Sequence, residues 1–457
     1  MAAKNKNPAV KKSDPLYNQS VVRAGRSLWS ATAPPIADFA PLLTTVRAQI
    51  AVVGAGYTGL SAALHLSEAG RDVVVLEALD VGDGASGRNG GQVIPGLKFD
   101  PDTLEGMYGA GLGARLVATV GAGPDLVFEL IRKHGIACDA VRSGWLQLAT
   151  SESALGPIRT RVRQWKARGA AIETLSPEDA ARLTGTQRYY GGLIDRRGGT
   201  VQPLAYARGL SVAAQRAGVR LFTRSAATHL ERSGGEWRIR TREGSVSCRQ
   251  VVFATNAYSD KFVEPLQRTI VAVPSLQVAT APLPPELGRS ILPEGQAVSD
   301  TWRLLRYFRK DAQGRLIMGS RGVFGDVPPA RAARLHYRAV REIYPQLERV
   351  SFDYHWSGFV AMTTDHLPHL HEVAPGIVAG LGYNGRGVAM ATVMGTLLAR
   401  LLLGEDAGNL GFPVTPVRPM RLHRFSRFGA GAAIQYLRTL DGAARLAERL
   451  TRRKHTM

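Results

Sequence analysis

The length, composition and charge of the chain narrow its class before any motif is considered. Its 457 residues are more than one ordinary core needs and are enough for two domains. With 45% apolar and 21% charged residues, the composition is typical of a globular protein and excludes collagen-like and low-complexity chains. There are two cysteines, Cys138 and Cys248, and no Cys/His cluster, so we expect neither a disulfide framework nor a metal site.

The positive charge is unevenly distributed. Lys and Arg outnumber Asp and Glu by 58 to 37, the formal net charge is +21, and residues 418–454 alone hold ten basic residues. Such a balance can indicate nucleic acid, an anionic membrane surface or anionic small molecules as partners. The N-terminus lacks the apolar core of a signal peptide, and no uncharged apolar run reaches the roughly 18 residues of a spanning helix. We therefore expect a cytoplasmic protein.

The first glycine-rich segment, turn 1, comprises residues 54–59 and reads GAGYTG between an apolar strand pattern and a helical pattern. Its first glycine permits a tight turn, its second lets backbone amides approach a pyrophosphate, and its third lets helix and strand pack closely. A second apolar strand pattern, residues 72–76, is followed by Glu77, whose carboxylate can accept hydrogen bonds from both ribose hydroxyls. This combination predicts a dinucleotide site formed by Gly54, Gly56, Tyr57, Thr58, Gly59, Glu77 and Ala78.

A second glycine-rich segment, loop 82–92, distinguishes between the possible dinucleotides. It reads GDGASGRNGGQ and follows closely after the ribose-binding acid. An NAD site does not need such a loop, whereas the pyrophosphate and ribityl chain of FAD continue past that point and need backbone amides within reach. The loop therefore favours FAD, with contacts from Ser86, Arg88, Asn89, Gly90, Gly91 and Gln92.

The middle and late parts of the chain indicate a second domain and a second cofactor-facing turn. Residues 116–134 have a helical pattern, residues 143–149 a strand pattern, and residues 303–319 two strands joined by a hairpin turn at 311–314. Turn 2, residues 380–388, reads GLGYNGRGV and precedes a small-residue helix predicted over 389–403. Bare amides at such a helix start stabilise negative charge on a reduced flavin. The predicted contacts are Gly385, Arg386, Gly387 and Val388.

These segments resemble the D-amino-acid oxidase superfamily of FAD-dependent oxidoreductases. The sequence SGRNGGQV at residues 86–93 and the aromatic lead-in SLWSAT at 27–32 are most similar to its gamma-glutamylputrescine oxidase branch. The resemblance covers nearly the whole chain. It implies an adenine contact through the backbone of Ala227 and a flavin-side position at Asn256, where the superfamily often has glycine.

The resemblance also implies an α/β fold in which a Rossmann-type FAD-binding domain is interleaved with a mixed-sheet α+β substrate domain. We expect an N-terminal lead-in at 1–46 and a basic C-terminal extension at 411–457. The FAD-binding domain is expected at 47–105, 196–263 and 350–410, and the substrate domain at 106–195 and 264–349. The mixed sheet should roof the flavin, with Tyr307 and Trp356 as candidate walls of the substrate pocket.

Two departures from the superfamily pattern bear on the chemistry. Gly358 stands where covalent-flavin members have cysteine, and Arg88 and Asn89 occupy the stretch where another covalent branch has histidine, so FAD should be bound noncovalently. Amino-acid-oxidising members clamp the substrate α-carboxylate with an arginine after a W-x-G-L pattern, and Val360 stands at that position here. This favours an amine whose carboxylate, if it has one, lies farther away. Arg386, Arg306 and Arg309 are candidates to bind it.

The function that these features predict is oxidative deamination of an amine, gamma-glutamylputrescine or a related compound, by hydride transfer to N5 of FAD. Dioxygen or another acceptor would take the electrons. One alternative is a D-amino-acid or proline-type dehydrogenase that passes electrons to a membrane carrier. A further alternative is an RNA-modifying flavoprotein, although no RNA-binding motif is visible and no nucleic-acid partner is expected. For the dehydrogenase, an apolar helix face could contact a membrane surface through Ile434, Leu437, Leu440, Ala444, Leu446 and Leu450.

Overall fold

The computed structural model describes residues 27–36, 38–322, 324 and 329–454. Within these residues, the strands form three sheets of seven, eight and four strands and one two-stranded ribbon. The ribbon pairs Gln92–Val93 with Gly199–Thr200. The predicted α/β fold class, with two interleaved domains, is confirmed.

The seven-stranded sheet is the core of the cofactor domain. Two of its inner strands, Ile50–Val53 and Val73–Leu76, are four-residue apolar runs that are buried along their whole length, as expected of a parallel sheet covered on both faces. Pairing is parallel except between His369–Ala374 and Ile377–Leu381. The strand order is Val414–Thr415, His369–Ala374, Ile377–Leu381, Gln250–Phe253, Ile50–Val53, Val73–Leu76, Arg220–Phe222.

Three helices pack together beside this sheet and bring the two glycine turns close to each other. They are Tyr57–Glu68, Pro203–Arg216 and Gly387–Leu402. The first and third of these helices approach closely because Gly395 has no side chain, and a Cβ there would lie 2.5 Å from Ser61 Cβ. The Ser61 hydroxyl also donates a hydrogen bond to Thr392 O across the same contact, at 2.8 Å.

The eight-stranded mixed sheet belongs to the substrate domain. The predicted hairpin is confirmed, since Asp311 Oδ1 accepts the amides of Gln313 and Arg315 between Tyr307–Lys310 and Arg315–Arg321. The strand order is Phe352–Met362, Val271–Pro282, Arg315–Arg321, Tyr307–Lys310, Ala297–Asp300, Trp145–Leu148, Gly192–Asp195, Ile172–Leu175.

The remaining elements surround the two large sheets. The four-stranded sheet shares an apolar cluster with the seven-stranded sheet and has the order Thr45–Arg47, Ser245–Cys248, Glu236–Arg240, His229–Ser233. The other helices are Leu28–Thr32, Pro101–Gly121, Gly123–His134, Leu155–Lys166, Pro177–Thr184, Glu264–Gln267, Pro285–Ser290, Pro329–Ile343 and Ser426–Lys454.

Two of the expected domain boundaries differ from the structure. Residues 350–410 were assigned to the cofactor domain, but Phe352–Met362 pairs antiparallel with Val271–Pro282 and so belongs to the eight-stranded sheet. Conversely, Val414–Thr415 lies beyond the assigned boundary at 410, yet it extends the seven-stranded sheet beside His369–Ala374. The reason in both cases is that a strand's sheet is set by its pairing partner, which its own pattern does not reveal.

The C-terminal helix Ser426–Lys454 packs against the rest of the protein, and it does so along the apolar face that was predicted to contact a membrane. Ile434 is buried, Leu437, Leu440 and Ala444 are partly buried, and the side chains of Leu446 and Leu450 lie outside the described part. Between them, Asp441 is buried and accepts a hydrogen bond from the amide of Leu304 at 3.0 Å. The prediction that this face contacts a membrane is therefore wrong for the side chains described, because the substrate domain covers it.

Candidate active site

A large cavity lies between the cofactor domain and the eight-stranded sheet. Its volume is about 930 Å³, near the upper end of the roughly 300–1,000 Å³ that small-molecule sites span. Turn 1, Glu77, loop 82–92, Ala227 and turn 2 form one side, and strands of the eight-stranded sheet form the other. The sequence segments predicted to contact one cofactor therefore meet around one cavity.

Turn 1 presents a helix start to this cavity. Gly54 has φ +108°, which favours glycine, and a Cβ on Gly59 would lie 1.9 Å from Gly54 O. Gly59 therefore packs the helix against the strand and does not line the cavity. Gly56 caps Tyr57–Glu68 without a side-chain hydrogen bond, and the first helical turn has no acidic residue. This end of the helix is suited to an anionic pyrophosphate.

Glu77 lies at the wall of the cavity beside turn 1. Its Oε2 accepts the amide of Ala55 at 2.7 Å and its Oε1 accepts the amide of Leu79 at 3.0 Å. Burial raises the pKa of this carboxyl, and the two amides oppose that shift. Each carboxylate oxygen has a further acceptor site, so that ribose hydroxyls can still be bound. Glu77 thus has a structural role in addition to the predicted one.

Loop 82–92 is fixed by Tyr57 and Asn89, two of the predicted cofactor residues. The Tyr57 hydroxyl lies 2.7 Å from Ser86 O, and Asn89 Nδ2 donates to the same carbonyl at 2.8 Å. Asn89 Oδ1 accepts the amide of Gly91 at 2.7 Å. Gly91 does not line the cavity, and a Cβ there would lie 2.2 Å from Val201 O. The side chains of Tyr57 and Asn89 therefore shape the loop.

Three side chains that sequence reasoning did not assign to this role hold the loop from behind. Trp29 Nε1 donates to Asn89 O at 2.8 Å, Trp356 Nε1 to Arg88 O at 3.1 Å, and Arg309 Nε to Gly90 O at 2.9 Å. The C=O and N–H of one trans peptide point in opposite directions. Because Asn89 O points toward Trp29, the N–H of Gly90 points toward the opposite side, and Gly90 lines the cavity.

Of the four residues in or beside the eight-stranded sheet that were predicted to face the substrate, three do not line the cavity. Trp356 is 1% exposed beneath the helix Leu28–Thr32, and its ring lies 5.6 Å from that of Trp29. It does not line the cavity, so its predicted place as a pocket wall is wrong. Arg309 holds the loop, and Arg306 pairs with Glu342 at 2.8 Å; neither lines the cavity.

Tyr307 does line the cavity and lies against the loop. Its hydroxyl is 2.9 Å from Ser275 Oγ, and a Cβ on Gly90 would lie 2.8 Å from its ring. Burial raises the pKa of Tyr307 to about 12, so the phenol is neutral at physiological pH.

Turn 2 is tied to turn 1 by side-chain contacts. The Tyr383 hydroxyl lies 2.6 Å from Thr58 Oγ1, and Asn256 Oδ1 accepts the amide of Gly382 at 2.9 Å. Asn256 has φ +44°, a conformation that asparagine and glycine adopt more readily than other residues. The helix Gly387–Leu402 then begins at the cavity without a side-chain cap or an acidic first turn. Its positive end faces the site.

Arg386, immediately before this helix, is buried at the cavity wall. Its Nη1 donates to Pro95 O at 2.5 Å, and its guanidinium lies 5.4 Å from the Trp145 ring centroid. Burial, with a smaller contribution from Arg161, lowers the pKa of Arg386 to about 9. It therefore remains a cation at neutral pH, held in place by a carbonyl and an aromatic face.

The eight-stranded sheet contributes cavity residues that sequence reasoning missed, among them Ser275, Gln277 and Arg321. Ser275 and Gln277 are two apart on one strand, a spacing that places both on one face and could have indicated them. Gln277 is 1% exposed, and its Oε1 has no hydrogen-bond partner within the described ranges. A buried acceptor without a partner in the wall is suited to a cofactor that carries N–H groups.

The cavity therefore fits FAD, because two helix N-termini without side-chain caps, the Glu77 carboxyl and the Gly90 amide surround one space. The chain belongs to the family described as FAD dependent oxidoreductase, which matches residues 49–401. It is an FAD-dependent oxidoreductase, and the predicted cofactor and superfamily are confirmed.

Individual relatives give a finer comparison. The chain is 34% identical to gamma-glutamylputrescine oxidoreductase of Escherichia coli over 417 residues, which cover 90% of this chain and 97% of that protein. It is 33% identical to the probable oxidoreductase OrdL of Haemophilus influenzae, covering 81% and 86%. In fold, it matches the crystal structure of glycine oxidase from Geobacillus kaustophilus with a TM-score of 0.68 and 22% identity, covering 81% and 98%.

Neither a membrane-spanning helix nor a metal-binding cluster occurs among the described residues. No helix in the part of the chain that the structure describes is long and apolar enough to cross a bilayer. Within the same residues, no group of three or more His, Cys, Asp and Glu side chains is arranged to hold a metal ion.

We predict that Glu77→Ala weakens FAD binding at least about tenfold, because each charged hydrogen bond lost contributes roughly 1.5–3 kcal/mol. The same change should lower the melting temperature of the apoprotein, since the amides of Ala55 and Leu79 lose their acceptor. Fluorescence titration of apoprotein with FAD and a thermal melt would measure the two effects. The control is Asp72→Ala, an exposed acid just before the same strand. Unchanged FAD affinity in Glu77→Ala would refute the ribose assignment.

Proposed function

We propose that the protein catalyses oxidative deamination of a primary or secondary amine, with gamma-glutamylputrescine or a closely related amine as its substrate. The observation that carries the proposal is Val360, which lines the cavity at the position where the resemblance places the carboxylate-clamping arginine of amino-acid oxidases. An α-carboxylate there would be buried without a paired cation, which costs several kcal/mol. The name of the Escherichia coli relative supports the same substrate class.

FAD, when bound, supplies the chemistry by accepting a hydride at N5 from the carbon that carries the amine. The residues of this chain bind and orient the reactants. The start of Tyr57–Glu68 and Glu77 would hold the pyrophosphate and ribose, and the Gly90 amide and the start of Gly387–Leu402 would face the ring. On the opposite wall, Val360, Met362 and Tyr307 exclude water from the reacting carbon.

The charges around the cavity favour the reactive form of an amine. An amine can donate hydride only in its neutral form, and nearby cations disfavour protonation of that nitrogen. Arg386, Arg321 and Lys98 all line the cavity. A proton is therefore released more readily from a bound ammonium than in water, and no dedicated base is required for the amine to lose it.

The cofactor is proposed to be noncovalent, because the position of the attaching cysteine is Gly358 and a Cβ there would lie 3.0 Å from Arg88 Cβ. We predict that acid precipitation of the purified yellow protein leaves a white pellet and intact FAD in the supernatant. Absorbance of both fractions measures this. Yellow colour that remains in the washed pellet would contradict it.

We predict that gamma-glutamylputrescine reduces the flavin under anaerobic conditions at least about tenfold faster at low concentration than D-alanine or glycine, because Val360 offers no clamp. Stopped-flow absorbance gives the rate and apparent affinity for each compound. Arg386→Ala is measured in parallel, because Arg386 is the cation best placed to replace the clamp. Fast reduction by a free D-amino acid that disappears in Arg386→Ala would favour the amino-acid dehydrogenase.

A second candidate function is a dehydrogenase that attaches to a membrane surface. The surface that favours it is not the predicted helix face but a patch just before and at the start of the C-terminal helix. Phe428 is 81% exposed, and Leu422 and Phe425 are also exposed. Arg421, Arg424 and Arg427 are interleaved with them and are exposed as well. Apolar side chains among arginines are suited to the interface of an anionic bilayer.

If this patch binds membranes, the protein should co-sediment with vesicles containing phosphatidylglycerol and not with vesicles of phosphatidylcholine alone. Phe425→Ser with Phe428→Ser should abolish the binding without changing the flavin spectrum, because both side chains point to solvent. Equal sedimentation with both vesicle types, or none with either, would remove this candidate.

A further inference from the structure

We infer that Arg321, assisted by Lys98, binds an anionic group of the substrate at a distance from the reacting amine. This rests on the proposed amine oxidation and specifies its substrate class: an amine with a carboxylate several bonds away from the carbon that is oxidised. Both residues line the cavity.

The sheet register places Arg321 on the cavity face. Arg321 is the last residue of its strand and lies opposite Ser275, whose other neighbour in the register is Gly358. Residues directly opposite each other share a face, as do residues two apart on one strand. Arg321 therefore shares the face of Ser275 and of Val360.

The same register shows that Arg321 lies at a different place on the sheet from position 360, where amino-acid oxidases have their clamping arginine. Val360 pairs with Val273, and Arg321 pairs with Ser275, so the two positions are two strands and two residues apart. With strands about 4.8 Å apart and a rise of about 3.4 Å per residue, their Cα atoms are roughly 12 Å apart. A carboxylate held by Arg321 is thus displaced by several bond lengths from an α-carboxylate held at position 360.

The guanidinium of Arg321 is not paired with any carboxylate among the residues that the structure describes. It forms no hydrogen bond or ion pair with any residue in the described ranges, in contrast to Arg306 and Arg309 of the neighbouring strand. Burial lowers the pKa of Arg321, and burial, with a smaller contribution from Arg321, lowers the pKa of Lys98. Two neighbouring cations without a described carboxylate form a site that an anion would stabilise.

Lys98 lines the same cavity from a different part of the chain. It follows loop 82–92 in the chain, whereas Arg321 belongs to the eight-stranded sheet. A carboxylate between Arg321 and Lys98 would be bound by both side chains, with the amine of the same substrate directed toward Tyr307 and Val360. Arg321 is the specificity-determining residue, and Lys98, which is exposed, contributes less because solvent screens its charge.

The test compares Arg321→Met with Arg338→Met, which removes the same charge from an exposed position on the helix behind the sheet. Flavin reduction is followed with gamma-glutamylputrescine and with its α-carboxamide, which keeps the amine but lacks the negative charge. Arg321→Met should raise the apparent Kd for the carboxylate about 10- to 100-fold and leave the carboxamide within about threefold. The limiting reduction rate should not change, and Arg321→Lys should restore part of the affinity. An equal loss for both compounds, or no loss for either, overturns the inference.

A second measurement keeps the inference separate from the proposed reaction. Glutarate carries carboxylates and no amine, so calorimetric titration into the holoenzyme reports anion binding without turnover. We expect glutarate to bind to wild type and to Arg338→Met, and to bind at least about tenfold more weakly to Arg321→Met. If neither amine reduces the flavin but glutarate still binds through Arg321, the proposed function fails and the anion site stands. If glutarate binds equally to all three proteins, the anion site fails whatever the amines do.

Discussion

The carbonyl groups of Arg88, Asn89 and Gly90 are held by side chains that lie behind loop 82–92, and the shape of the cavity depends on these bonds. With its carbonyls turned away, the loop presents the Gly90 amide and small residues to the cofactor side. Arg309 is a buried cation among these donors, and burial lowers its pKa to about 10. Its charge is stabilised by the carbonyls of Gly90 and Val201 and by the Trp29 ring, whose centroid lies 4.9 Å away.

This arrangement connects parts of the chain that are distant in sequence. Trp29 comes from the N-terminal lead-in, Arg309 from the substrate sheet, and both contact a loop of the cofactor domain. On the other side of the cavity, Tyr383 and Thr58 join the two glycine turns. The cofactor site is therefore assembled by the packing of the two domains, and weakening that packing should affect FAD binding before it affects either sheet.

The local sequence pattern was sufficient to predict those features whose geometry is determined within one short segment. Turn 1, Glu77, the hairpin at 311–314 and the helix after turn 2 were predicted because each has a signal within about 20 residues. Arg306, Arg309 and Arg321 show where this fails. They lie in or beside two neighbouring strands of one sheet, yet one pairs with Glu342, one holds the loop and one faces the cavity. Arg309 and Arg321 share one face of the sheet by register, so packing against distant segments distinguishes them: loop 82–92 contacts Arg309, and the helix Leu28–Thr32 covers Trp356. The sheet to which Phe352–Met362 belongs is set by its pairing with Val271–Pro282.

The most direct test of this account is a crystal structure of the FAD-bound protein. We expect the pyrophosphate to lie within hydrogen-bonding distance, about 2.7–3.2 Å, of the amides at the start of Tyr57–Glu68, and the ribose hydroxyls to contact Glu77. The ring should lie between the Gly90 amide and the start of Gly387–Leu402, with Val360 and Arg321 on its open side. A ring that makes no contact with Gly90 or turn 2, or a loop 82–92 released from Trp29 and Arg309 in the bound state, would contradict it.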